Sequence, residues 1–343
     1  MSGVNSAPVE RAPEFTGPAL QVRNLRKLYP IGGRFFRRAK SNIHAVDDIS
    51  LDVPAGGSLA LVGESGCGKT TAGKLMVKLL DATSGEVRLT HGGGDEIELS
   101  SLSGRETKRF RRSAQMIFQD PYESINPRRT VFDTIAEPLV VQRVGNIRER
   151  EERVLRIMEQ VSLTPVASML MRYPHELSGG QRQRVAIARA LVLEPRFVVA
   201  DEPTSMLDVS VRTGIMMLML EMRERLNATF VYITHDLAVA RYMCDRIAVM
   251  YMGKIVEVGE TESLLKNPVH PYTRALLSAV PVPDPSVTRS EIQIKGGVAR
   301  PVDPAPRCRF FDRCLSATEV CETEDHPVLS LREEGRAVAC CNF

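Results

Sequence analysis

Eight consecutive residues carry the clearest chemistry in this chain: Gly63-Glu64-Ser65-Gly66-Cys67-Gly68-Lys69-Thr70. They fit G-x-x-x-x-G-K-[ST], a phosphate-binding pattern. Its glycines let backbone N–H groups approach phosphate oxygens with no Cβ in the way. A helix starting behind the loop adds the positive end of its dipole. Lys69 can reach the β- and γ-phosphates of a nucleoside triphosphate, and the Thr70 hydroxyl can hold Mg²⁺. Much further along, Asp201 and Glu202 stand side by side. The first suits a Mg²⁺-orienting carboxylate, and the second can act as general base toward an attacking water. His235 can contact the terminal phosphate or position that water. The Gln119 amide can reach Mg²⁺ or the water.

A second glycine-bearing stretch is Leu177-Ser178-Gly179-Gly180-Gln181, followed by an amphipathic run from Arg182 to Leu191. Its start is an anion site without a lysine. One nucleotide needs only one lysine-bearing loop. A second cradle makes sense if it serves a nucleotide held by another subunit.

These residues need elements to hold them. Leu59-Ala60-Leu61-Val62 reads as a buried strand, and Thr71 to Leu80 has apolar residues at helical spacing. Ala114 to Phe118, Arg196 to Ala200 and Ala228 to Ile233 are further apolar strands. Apolar strands alternating with helices predict a parallel sheet covered on both faces. Ligands of such sheets sit at the carboxyl ends of the strands. Gly63, Gln119, Asp201, Glu202 and His235 all fall at such ends. Ahead of this core, Leu20 to Val22 and Ile49 to Val53 alternate with period two, as an antiparallel opening would. Glu86 to Leu89 reads as a strand and His91 to Asp95 as a glycine-rich tip. Residues 102–112 and 130–176 read as helical. The methionines at 216, 217, 219 and 222 lie in a helix from Val209 to Asn227 and read as core filling more than as a protein-binding face. Tyr29 could stack on an adenine ring or could be a packed strand tyrosine.

The 343 residues allow one large or two ordinary domains, and 43% hydrophobic with 25% charged residues is a globular mix. A net charge of +3 gives no argument for a nucleic-acid partner. No apolar run approaches the roughly 18 residues of a membrane span. The polar first residues lack a secretory pattern and read as a disordered lead-in to a cytoplasmic protein, docked on other subunits if it works at a membrane. The segment 32–40 is basic with two adjacent phenylalanines; it reads as an exposed loop more than as a contact with lipid headgroups or a partner. Five of the seven cysteines crowd the end of the chain, a pattern that points to metal more than to disulfides.

With these motifs assembled, the chain resembles the ATP-binding cassette (ABC) ATPases. The Leu-Ser-Gly-Gly-Gln signature at 177–181 is the most specific match. The lysine loop at 63–70, Gln119, Phe197 to Asp201, Glu202, a D-loop at Ser205-Met206-Leu207-Asp208 and His235 complete the set. Met206 departs from the small residue more usual there. The resemblance implies a P-loop α/β cassette: a parallel-sheet core, an antiparallel β subdomain and an α-helical subdomain, with a small cysteine-rich C-terminal extension. It implies ATP contacts from Tyr29, Gly63, Ser65, Gly66, Cys67, Gly68, Lys69, Thr70, Thr71 and Gln119, and Mg²⁺ held through Thr70, Gln119 and Asp201. Glu202 and His235 are then catalytic. Ser178, Gly179, Gly180 and Gln181 face the partner's ATP, and Asp208 belongs to the D-loop.

Outer segments narrow the resemblance to oligopeptide/dipeptide importers. Gln119 to Arg128, His270 to Leu277 and the cysteine tail carry it, and the insert at 31–45 resembles the second ATPase subunit of such systems. The domains expected are a lead-in at 1–19, a nucleotide-binding domain at 20–260 with its helical subdomain at about 120–190, and the importer C-terminal region at 261–343. The function implied is ATP-driven uptake of di- or oligopeptides. Nickel, opine and glutathione carriers share the group, and a soluble ABC ATPase acting on nucleic acid or ribosomes is the reading from another class. Implied partners are a second ATPase, a sibling more than a second copy, two permease subunits and an extracytoplasmic solute-binding protein, with no nucleic acid. The place implied is the cytoplasmic face of the cell membrane.

In this family the tail cysteines are associated with an iron–sulfur cluster. The spacing here is Cys308-x5-Cys314-x6-Cys321-x18-Cys340. Four thiolates suit [4Fe–4S] or tetrahedral Zn²⁺, and the wide gaps favour iron. Cys341 could replace Cys340, and His326 is an alternative ligand.

Overall fold

In the computed structural model, residues 18–32, 41–90, 96–279, 294, 297, 300–332 and 335–342 are described. The basic loop at 33–40, the glycine-rich tip at 91–95 and the lead-in up to residue 17 lie outside them. Among the described residues, one sheet has eight strands and a second has four.

Five strands of the larger sheet run parallel, in the spatial order Arg246–Tyr251, Ser58–Val62, Thr229–Thr234, Phe197–Asp201, Ala114–Ile117. Side chains on a strand alternate between faces, and here both faces are buried. Ala60, Val62, Val198, Ala200, Phe230 and Tyr232 join one core, packed against the helices Val131–Val141, Ile147–Gln160 and Gly179–Leu191. Leu59, Leu61, Phe197, Val199, Val231 and Ile233 join the other, together with the helix Lys69–Met76 and the four-stranded sheet. That is why these strands read as unbroken apolar runs.

The four-stranded sheet is antiparallel, in the order Ser41–Pro54, Pro18–Ile31, Ser84–Thr90, Glu96–Glu98. Leu20 faces Val53 and Val22 faces Leu51, the register that their alternation asks for. Helix starts follow capping chemistry. Asn146 and Glu149 form a reciprocal capping box, and so do Ser178 and Gln181.

Two readings change and one is refined. The helix behind the lysine loop ends at Met76, not at Leu80. Lys78 takes φ 54°, and the Lys74 carbonyl accepts N–H groups from both Leu79 and Leu80, which closes the turn early. The segment 130–176 is helical as read, in two full helices and two single turns, Val166–Met169 and Pro174–Glu176. The methionines divide: Met219 and Met222 are buried and Met216 packs on the core, but Met217 is exposed.

The end of the chain is woven into the cassette. Ala337–Val338 pairs with Lys254–Glu260 and so extends the larger sheet, and Ser330–Leu331 adds the last strand. Val302 bridges to Ile43 in the smaller sheet.

Candidate nucleotide site

The lysine loop is fixed by crowding at two glycines. At Gly63, a Cβ would lie 2.1 Å from the Met250 carbonyl oxygen, and at Gly68 (φ 110°) it would lie 1.9 Å from the Ala45 carbonyl oxygen. Only glycine fits between these two strands. Gly68 is also the cap residue of the helix Lys69–Met76, with no side chain bonded to the helix start. The first-turn N–H groups are left for an anion.

The Lys69 ammonium is buried and donates to the Gly63 carbonyl at 2.7 Å and the Glu64 carbonyl at 2.9 Å. Cys67 turns its side chain into the core, so only its backbone can meet a ligand. The Thr70 hydroxyl donates to Asp201 Oδ1 at 3.2 Å, linking the loop to the strand end two places along the sheet. Asp201 is buried, and burial raises its carboxyl above the usual range, with the Glu202 charge acting the same way and the Thr70 bond opposing it. A hard divalent cation taking oxygen ligands fits this hydroxyl–carboxylate pair, because its charge would offset that burial.

Glu202 follows at φ 42°, with its N–H bonded to the Ile233 carbonyl at 2.9 Å. This turn swings the side chain out of the strand. Gln119 Nε2 donates to one carboxylate oxygen at 3.1 Å, and His235 Nδ1 lies 3.0 Å from the other. Three parallel strand ends thus hold one carboxylate in a fixed direction.

All of this opens into a cavity of about 500 Å³ lined by Ile43, Ala45, Ser65, Gly66, Gly68, Lys69, Thr70, Thr71, Gln119, Glu202 and His235. Tyr29 is not in the lining. It pairs with Ile43 on the adjacent strand, and the Lys27 ammonium lies over its ring at 5.4 Å. Ile43 and Ala45 form a wall that the sequence did not reveal, since strand alternation does not say which face meets a ligand. Ser178, Gly179, Gly180, Gln181 and Asp208 are also outside the lining. The Ser178 hydroxyl accepts the Gln181 N–H at 3.3 Å, and Gln181 Oε1 accepts the Ser178 N–H at 3.0 Å. Ser178 and Asp208 are exposed.

None of the tail cysteines is in a disulfide. Cys308, Cys314 and Cys321 are buried, and the Cys308 N–H bonds the Cys321 carbonyl at 3.0 Å. Burial first, then the neighbouring thiols, push Cys308 up to about 11. Burial and the bond to Cys321 push Cys341 up to about 12. Among the described residues no three Cys, His, Asp or Glu side chains are grouped closely enough to hold one metal ion.

The ABC transporter family matches residues 46–205, and the family described as the oligopeptide/dipeptide transporter C-terminal region matches residues 256–321. The chain is 43% identical to the dipeptide transport ATP-binding protein of Haemophilus influenzae over 324 residues, covering 94% of this chain and 96% of that one. It is 43% identical to the oligopeptide transport ATP-binding protein of Bacillus subtilis, with coverage of 94% and 96%. Among solved structures, it is similar to a dimeric ATP-binding cassette in a post-hydrolysis state bound to ADP and phosphate. That likeness has a TM-score of 0.61 at 30% identity and covers 71% of this chain and 98% of the other.

The crowding at Gly68 yields a test. A Gly68→Ala variant is expected to lose more than about tenfold in Mg-ATP affinity, since the left-handed backbone alone costs about 1–2 kcal/mol with a Cβ present. Titration with a fluorescent ATP analogue reads the affinity, and circular dichroism checks that the chain is folded. Unchanged affinity would contradict this account of the loop.

Proposed function

The chain belongs to the ABC transporter family of ATPases, and from that membership we propose that it is the ATP-hydrolysing subunit of a membrane importer of di- or oligopeptides. The observation that carries the ATPase reading is Glu202, held between Gln119 and His235 beside the Thr70–Asp201 pair. The match of residues 256–321 to the peptide-transporter C-terminal region, and the printed names of the relatives, support peptides as the solute.

In this reading the N–H groups at the start of the helix Lys69–Met76 bind the phosphates, and Lys69 adds a fixed positive charge. Thr70, Asp201 and Gln119 would hold Mg²⁺, which when bound neutralises phosphate charge. Glu202 accepts the proton of the attacking water, while His235 and Gln119 keep its carboxylate aimed. Tyr29 is kept as the adenine-stacking residue, which requires it to reach past Ile43. Ser178 to Gln181, outside the cavity and with Ser178 exposed, serve ATP bound to a second cassette, with Asp208 at that junction. A sibling cassette, two permeases and an external solute-binding protein complete the assembly at the cytoplasmic face of the membrane. Among the described residues no helix is long and apolar enough to cross a bilayer, so docking falls to the permeases. Segments near Gln119 and within 120–175 pass the cassette's motion to them. The domain division is 20–260 for the cassette, with its helical part at about 120–190, and 261–343 for the C-terminal region.

For the tail, the donor chemistry fits a thiolate-bound group. Cys308, Cys314, Cys321 and Cys340 would hold a [4Fe–4S] cluster, or Zn²⁺ in its place, with Cys341 or His326 as alternative ligands. Such a group stabilises thiolates that burial otherwise disfavours. Its ligands must close in further than they do here.

Two measurements test these readings. In a complex whose partner site is disabled, Glu202→Gln is expected to bind ATP normally, lower turnover by about 10²–10⁴-fold and stop peptide uptake. Normal uptake by that variant would remove Glu202 from the catalytic role. Metal and sulfide analysis of anaerobically purified protein is expected to give about four irons and four sulfides per chain, lost in Cys314→Ser. Stoichiometric zinc, or no metal, would overturn the cluster.

A further inference from the structure

Glu64 is the least conspicuous residue of the lysine loop, yet every polar group it has is taken. Its N–H donates to the Tyr272 hydroxyl at 2.9 Å. Its carbonyl accepts from Lys69 at 2.9 Å. Its carboxylate accepts two bonds from the Arg313 guanidinium, at 2.7 and 3.0 Å. Two of these three partners come from beyond the cassette match, inside the matched C-terminal region.

Both partners are rigidly held. Arg313 ends the single helical turn Phe311–Arg313, is 8% exposed, and lies over the Tyr251 ring at 5.7 Å. Tyr272 is fully buried, with its ring 4.7 Å from Tyr251 and 5.5 Å from Phe310. The Tyr272 N–H donates to His270 Nδ1 at 3.1 Å, and the His270 N–H donates to the buried Glu257 carboxylate at 3.0 Å. The aromatic group anchors both side chains to the strand Arg246–Tyr251, which runs beside the strand leading into the lysine loop.

We propose that Arg313 and Tyr272 are positioning residues for ATP binding: by holding Glu64 they set the lysine loop and cancel a negative charge beside the phosphate site. A planar bidentate fork fixes the carboxylate's direction as well as its charge. With the fork removed, the Glu64 carboxylate stands uncompensated near a polyphosphate and competes for Lys69. The expected effect falls on binding, because Glu202, Gln119 and His235 come from other strand ends and are untouched. The proposal rests on the cavity being the ATP site.

The test uses the full chain, titrated with a fluorescent ATP analogue and Mg²⁺, and the assembled importer for steady-state ATPase. Arg313→Ala is expected to raise Kd and KM for ATP about tenfold, the order expected for one uncompensated charge at moderate dielectric, with kcat lowered less than about threefold. Arg313→Lys should fall between, since it restores charge without the fork. Adding Glu64→Gln to Arg313→Ala should recover most of the affinity, which a loss of mere stability would not do. Tyr272→Phe should raise Kd several-fold. Unchanged affinity in Arg313→Ala, or a further additive loss in the double variant, overturns the proposal. If Arg313→Ala does not fold, Arg313→Lys and Tyr272→Phe decide it, and wild-type affinity in both overturns it. A Lys69→Ala control separates the two readings: if it still binds ATP as the wild type does, the cavity is not the ATP site.

Discussion

The lysine loop has no spare room at Gly63 and Gly68, and the rest of the site depends on that. It is wedged between the Met250 carbonyl of the parallel sheet and the Ala45 carbonyl of the antiparallel sheet, at two positions where even a methyl group would collide. Its placement is therefore set by two sheets at once. The Thr70–Asp201 bond transmits that placement to the next strand end but one, and the Glu202 turn to the strand between. Burial of the strands on both faces makes this frame stiff. A preorganised site follows from close packing of backbones rather than from any single strong bond.

Much of this was legible because the chemistry is local. The lysine loop, the apolar strands and the polar residues at their ends lie in short runs with clear periodicity, and Gln119, Glu202 and His235 do meet as their strand-end positions required. What was not legible is long-range. Ile43 and Ala45 line the cavity, but nothing in their alternation marks the ligand side. The Arg313–Glu64 pair spans much of the chain, and an arginine between two cysteines in a tail carries no local sign of its partner. The tail strand Ala337–Val338 is too short for period-two patterning to reveal that it extends the main sheet. Helix ends fail for a related reason: Lys74 closing the turn on both Leu79 and Leu80 is backbone geometry, not side-chain pattern.

The chain presents two unlike phosphate-related surfaces. One is the enclosed cavity with its lysine, hydroxyl and carboxylates. The other is the start of the helix Gly179–Leu191, where the side chains of Ser178 and Gln181 cap each other's backbone N–H groups. This asymmetry is what the proposed pairing of two cassettes requires, each completing its neighbour's site. The tail, fastened to both sheets and to the loop itself, belongs to the same mechanical unit.

The central claim is that this unit energises a peptide importer. Its most direct test is to purify the tagged chain in mild detergent from its own membranes and identify the copurifying proteins by mass spectrometry. The account predicts two integral permease subunits and a second cassette ATPase. Ribosomal or DNA-processing proteins in their place, with no permease, would leave the ATP chemistry standing and contradict the transport role.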